Sequence, residues 1–141
     1  MYIMDEINST INKLSKNSIN AINLAYEYAF RNNSKFLDIK HLFISIINQK
    51  DSFISRALES INFNSSITFD NMIDKEVAHD ESIYLSEDFK KVILEAYYIS
   101  RKMGHVYVGT EHLMLALLSL KSNPFVKELK NLGLFFICSV S

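Results

Sequence analysis

Glycine and proline are scarce here, three of the first and one of the second in 141 residues, so the many tight turns of a sandwich or barrel would lack their usual residues. Long helices are expected instead. Cys138 is the sole cysteine, which rules out an intramolecular disulfide and fits a reducing, cytoplasmic setting. Neither sign of charge dominates: the net charge is -1 and the pI is near 6.4. The surplus of Lys and Arg that normally carries phosphate-backbone binding is missing, and nucleic acid is not an expected partner. Long apolar runs are also lacking. Residues Met1 to Thr10 include Asp5 and Glu6, unlike an ordinary secretory signal, and the apolar tail from Leu134 to Val140 is far too short to span a bilayer. No membrane association is expected. A GxxxxGK[ST] phosphate loop is missing from the sequence, so neither ATP hydrolysis nor any cofactor is expected of this chain.

What the sequence does have is 48% apolar and 12% aromatic content, ample for the core of one ordinary domain. Charge is unevenly spread: seven basic and three acidic residues lie between Lys13 and Arg56, against seven acidic residues and Lys75 from Asp70 to Asp88. Solvated helix faces account for that pattern more simply than a charge-steered surface.

A shift of 71 positions lays Leu14-Ser15 on Leu85-Ser86, Ile22 on Ile93, Ala25-Tyr26 on Ala96-Tyr97, His41-Leu42 on His112-Leu113 and Leu58 on Leu129 without a gap. The chain is an internal duplication. In the second copy, Phe89, Val92, Ile93, Ala96, Tyr97, Ser100 and Met103 recur at three- and four-residue spacing, so a helix from about Ser86 has one apolar face and stops at Gly104. Thr110 is expected to cap the next helix, with Glu111 in its first turn. The run Leu113 to Leu118, apolar on every side, is expected to be the buried centre of the unit. Asn123 and Pro124 read as the cap and first turn of a third helix that carries Phe125, Val126, Leu129 and Leu132 and ends at Gly133.

The first copy predicts helices over about Ser15–Asn32, Asp38–Asn48 and Ser52–Ser60, and an acidic linker holds material for one short helix. The expected architecture is all-α: a pseudo-twofold tandem repeat of seven or eight helices without strand alternation. It forms one domain over residues 1–141, with repeat one at about 14–63, a linker at 64–84 and repeat two at about 85–134. Each copy leaves an apolar face that only the other copy can cover.

The stretch GHVYVGTEHLMLALL, Gly104 to Leu118, preceded by Ser100-Arg101-Lys102-Met103, resembles the signature of the N-terminal domain of Clp ATPases, most closely the ClpC type. The resemblance spans about residues 14 to 134. The first-repeat run NSKFLDIKHLFISII, Asn33 to Ile47, is more divergent and keeps mainly its His-Leu pair and apolar helix. The resemblance implies a non-catalytic domain that docks protein substrates or adaptor proteins for an ATP-dependent unfoldase, and an isolated domain of this kind is expected to be monomeric. The ending, Leu134 to Ser141, departs from the family, in which another helix usually follows the position of Gly133.

ClpC-type domains of some bacteria bind phosphorylated arginine through the glutamate of a Gly-Thr-Glu-His motif, and the matching residue is Glu111. A carboxylate suits a guanidinium, whereas a phosphoryl group suits the backbone N–H groups of a helix start. The resemblance therefore implies a pocket in repeat two with Glu111, Thr110 and the hydroxyl of Ser86. In repeat one Lys40 replaces the glutamate and leaves Ser15 as half of a site. Glu111 also has a plainer role as a first-turn partner of the helix dipole.

His41 and His112 begin the two buried helices. A hydrogen-bonded core role is expected for both in place of metal binding, because no cysteine or tight carboxylate cluster accompanies them in sequence. The aromatics Tyr26, Phe30, Tyr97 and Tyr98 are expected mostly at the core or its boundary, some lining a groove for unfolded apolar segments. Two alternatives stand beside the docking domain. One is a free-standing regulator that competes for the same partners without a motor. The other is a ligand-sensing or enzymatic bundle, which a deep cleft with convergent titratable groups would mark.

Overall fold

The computed structural model describes residues 9–49 and 83–131. After a helical turn over residues 9–11, the order is α1 (Lys16–Arg31), β1 (Phe36–Leu37), α2 (Ile39–Ile47), β2 (Tyr84–Leu85), α3 (Glu87–Lys102), α4 (Thr110–Leu118) and α5 (Pro124–Asn131). The described part is thus mostly helical, with six helical segments. The expected third helix of the first copy, the body of the linker and the stop at Gly133 lie outside the described residues.

Corresponding residues end and begin corresponding helices. Ser15 caps α1 by accepting the Ser18 N–H at 3.1 Å, and Ser86 caps α3 by accepting the Phe89 N–H at 3.0 Å. At their far ends the chain turns through the left-handed region at Asn33 (φ 55°) and Gly104 (φ 74°), the two residue types that enter it at least cost. The residue after each reaches back into its helix, Ser34 N–H to Ala29 O and His105 N–H to Ser100 O, both at 2.9 Å. Asn123 Oδ1 accepts from Phe125 N at 2.8 Å and so caps α5, with Pro124 in the first turn as its sequence predicts.

The core forms where α2 and α4 meet. In α2 every residue but Lys40 is buried, and α4 is buried apart from Glu111 and Leu115. Leu42 and Leu113 are both fully enclosed. Removing one such leucine from water stabilises the fold by about 1.5–3 kcal/mol, an amount exposed helix faces cannot match. α1 lays Ser18, Ala21, Ala25 and Ala29 against the core, whereas α3 presents the larger set Phe89, Val92, Ile93, Ala96 and Ser100. α1 packs on α2 and α3 on α4, while α1 also reaches α4 and α3 reaches α2. Phe125 of α5 meets Phe43 of α2 edge-on at 5.6 Å, so the third helix of the second copy shields the first.

One feature was not expected. β1 and β2 pair in parallel, Phe36 with Tyr84 and Leu37 with Leu85, and an isolated parallel bridge joins Leu14 to Val108. A shift of 71 positions maps one contact onto the other. Each couples the lead-in of a first helix in one copy to the lead-in of a second helix in the other. Strands of two residues carry no visible alternation, which is why the sequence pattern reads as helix and loop alone.

Exposure also differs from expectation for the aromatics. Phe30 and Tyr98 lie largely in solvent and Tyr26 nearly half so, and Met103, counted with the apolar face of α3, is exposed as well. Helical spacing places a residue on a face but does not say how far the neighbouring helix extends over it.

Candidate functional site at two crossed helix starts

At the first junction Val108 N–H donates to Lys13 O at 2.8 Å, and the Val108 carbonyl accepts from Ser15 N–H at 2.9 Å and from Ser18 Oγ at 2.8 Å. The start of α1 is thereby held alongside Val108-Gly109, and α4 follows at once. At the second junction Ser86 N–H donates to Leu37 O at 3.0 Å, and Ser86 Oγ donates to Asp38 Oδ1 at 2.8 Å. Asp38 Oδ1 also caps α2 by accepting Ile39 N–H at 2.8 Å.

This crossing corrects the grouping read from sequence. Ser86 does not share a pocket with Glu111: it lines an open pocket of about 280 Å³ with Ser34, Phe36, Asp38, Lys40 and Glu87. Ser15, not Ser86, belongs to the junction from which Glu111 projects. The cause is the parallel pairing, which exchanges partners between the two copies.

Thr110 is likewise not the cap of α4. The cap position is Gly109, which has no side chain to bond, and Thr110 is the first helical residue, almost fully buried. His112 supplies the missing bond in reverse, its Nδ1 accepting the Gly109 N–H at 2.8 Å. The equivalent bond runs from Asp38 N–H to His41 Nδ1 at 3.0 Å. Both duplicated histidines thus serve the helix starts as hydrogen-bonded core residues.

Glu111 folds back over Gly109, and a Cβ placed on that glycine would sit 2.5 Å from Glu111 Oε2. The side chain remains 45% exposed, with Oε1 3.9 Å from His112 Nδ1. Burial lowers the pKa of His112, Glu111 raises it and His105 lowers it further, so the buried ring is neutral near pH 7. The contact with Glu111 is therefore not an ion pair.

The charges at the two junctions are opposed. The first turn of α1 has no acidic residue and begins with Lys16, and the facing helix offers Glu111. The first turn of α3 carries Glu87 and Asp88, and the facing helix offers Lys40. Asp88 is also tied to α5 through Asn123 Nδ2.

His105, which sequence reasoning passed over, lies beside the first junction. Its Nδ1 is 2.7 Å from His112 Nε2, with ring centroids 4.9 Å apart. His105, Glu111 and His112 bring three donor groups within 4.8 Å of one another. Since Nδ1 of His112 accepts a backbone N–H, its neutral ring carries the proton on Nε2 and presents a donor there, not the lone pair a metal needs. The signal that could have found His105 was a second histidine seven positions before a helix-capping one.

A second pocket, open to solvent and about 380 Å³ in volume, is lined by Ser9, Thr10, Lys13, Leu94, Tyr97 and Tyr98. Arg101 lies 5.7 Å from the centre of the Tyr97 ring. No helix of the described residues is long and apolar enough to cross a membrane.

The fold and its paired helix starts define a small helical repeat domain. The chain belongs to the family described as the Clp repeat (R) N-terminal domain, which matches residues 13–132. It is thus the N-terminal domain type of the Clp chaperone ATPases. It is 30% identical over 118 residues to the chaperone protein ClpB of Clostridium perfringens, covering 77% of this chain and 14% of that protein. It is 27% identical over 113 residues to the negative regulator of genetic competence ClpC/MecB of Bacillus subtilis, covering 78% of this chain and 14% of that protein. The crystal structure of the Hsp104 N-terminal domain from Candida albicans superposes with a TM-score of 0.76 at 19% identity, covering 90% of this chain and 87% of that one. The chain spans about 14% of the length of the curated relatives it matches. ClpB and ClpC relatives match at similar identity, so family membership is shown, whereas the expected ClpC type is not singled out.

Proposed function

We propose that the chain is the substrate- or adaptor-docking domain of a ClpC-like ATP-dependent unfoldase, working by reversible binding and delivery in the cytoplasm. The ligand class we assign to the first junction is phosphoarginine on a protein partner. The observation that carries this reading is the charge arrangement there: the half-exposed Glu111 carboxylate lies over Gly109, next to the Val108 that pairs with the lead-in of α1, whose first turn has no acid of its own. Two carboxylate oxygens can pair with a guanidinium, while the N–H groups at the start of α1, beside Ser15 and Lys16, suit a phosphoryl group. Thr110 is a framework residue in this reading because it is buried.

Lys40 would repel the guanidinium at the second junction, and Glu87 with Asp88 would repel the phosphoryl group. One productive pocket is therefore assigned, built from Ser15 and Glu111 across the two copies, while Ser86 belongs to the silent one.

Titration calorimetry with a phosphoarginine peptide tests the assignment. Glu111→Gln should weaken binding at least about tenfold, equivalent to about 1.4 kcal/mol. Gly109→Ala should weaken it too, because the new methyl group takes the space of the Glu111 carboxylate. Unchanged affinity in Glu111→Gln would remove the phosphoarginine assignment.

A further inference from the structure

We propose that His105 and His112 form a proton-operated latch, which ties the loop after α3 to the start of α4 at neutral pH and opens when His105 is protonated. The hydrogen-bond chain fixes the direction of every proton in it. Gly109 N–H points at His112 Nδ1 over 2.8 Å, so the His112 proton sits on Nε2 and is donated to His105 Nδ1 over 2.7 Å. His105 must then hold a lone pair at Nδ1. A second proton on His105 would replace that lone pair with another N–H, and two donors would face each other across the same gap.

His112 cannot relieve the conflict by exchanging tautomers. A proton on its Nδ1 would break the bond to Gly109, which stands in for the side-chain cap that α4 lacks. The ring is buried to 1% exposure and cannot turn to water, whereas His105 is exposed and can swing away. The conflict is resolved at the loop.

The charged groups nearest the pair along the chain are Glu111 on α4, whose Oε1 lies 3.9 Å from His112 Nδ1, Arg101 and Lys102 in the last turn of α3, and Lys13 on the segment paired with Val108. The loop is otherwise held by the His105 N–H bond to Ser100 O at 2.9 Å and the Val108 N–H bond to Lys13 O at 2.8 Å. Val106 and Tyr107 stand between them, 67% and 59% exposed. Opening the latch would free that apolar pair together with the chain leading into α4.

The first copy provides an internal control. At the place of His105 it has Ser34, buried, whose hydroxyl donates to Phe36 O at 2.8 Å. That serine bond stays within its own loop and does not titrate, so the first copy lacks this latch.

NMR on the full chain tests the latch without reference to any ligand. At about pH 7.5, long-range nitrogen–proton correlation should show His112 protonated on Nε2 alone. Amide exchange at His105 and Val108, corrected for intrinsic rates, should quicken at least about tenfold between about pH 7.5 and about pH 5.5. In His105→Asn, whose amide accepts a hydrogen bond but does not titrate, these two amides should quicken no more than the core amides of α2 and α4, which report the loss of global stability through His112. In His105→Ala it should be fast at both pH values. Parallel acceleration in the parent and His105→Asn, or a proton on His112 Nδ1 at neutral pH, would overturn the proposal.

Discussion

Ser18 donates its hydroxyl to the carbonyl of Val108 at 2.8 Å inside the core, joining the first helix of one copy to the lead-in of the second helix in the other. At the second junction the corresponding position is Phe89, which packs in place of hydrogen bonding. The two junctions share a backbone plan but hold it with different side-chain chemistry. Ser18→Ala removes the buried bond to Val108 and the one that Ser18 Oγ accepts from Ser15 Oγ at 3.1 Å, while leaving the Val108 oxygen still bonded to Ser15 N–H. Its expected cost is about 1 kcal/mol, measurable as a lower urea midpoint at unchanged slope. A loss above about 3 kcal/mol would mean that the whole junction opens.

Leu42 and Leu113 sit at corresponding points of the two central helices, both fully enclosed. Truncating either to alanine should cost about 2–5 kcal/mol. Because α2 and α4 pack on one another, each variant should still unfold in one transition by circular dichroism and by tyrosine fluorescence. Two separated transitions would show that the copies hold independent cores.

Acidification should destabilise the fold through His112, apart from any movement of the loop. Burial, opposed by Glu111 and aided by His105, lowers its pKa below the ordinary histidine value of about 6.5 that the unfolded chain retains. Below that value the unfolded chain takes up a proton that the folded ring refuses. Its contribution to stability is therefore present above about pH 6.5 and declines as the pH falls towards the folded pKa. The melting temperature should drop between about pH 7.5 and about pH 5.5. A maximum at the acidic end would contradict the burial argument.

Much of the fold was legible because its signals are local. Ser15, Asp38, Ser86 and Asn123 announced helix starts, Gly104 announced a stop, and the run from Leu113 to Leu118 announced a buried centre. Those features depend on a few neighbouring residues and leave a mark in spacing. The crossing of the junctions leaves none. Whether Ser86 meets Asp38 or Glu111 depends on which lead-in it pairs with, and both are two or three residues long. Thr110 looked like a cap because its residue type favours that role, but His112 supplies the bond from the other direction. The exposure of Tyr26 and Phe30 was hidden for a related reason, since periodicity orients a ring without specifying what stands opposite.

The parallel bridges at Leu14–Val108 and Leu37–Leu85 give the chain the topology of two arms folded across each other. Each half of such a handshake is unfinished by itself, its hydrogen-bonding rim open to the first matching rim it meets. Severed between Gln49 and Ile83, the pieces would thus seek each other out, and a lone half would seek its own twin. In that sense the molecule is a symmetric pair whose members happen to be spliced into one thread, free to let their chemistries drift apart while the embrace stays the same.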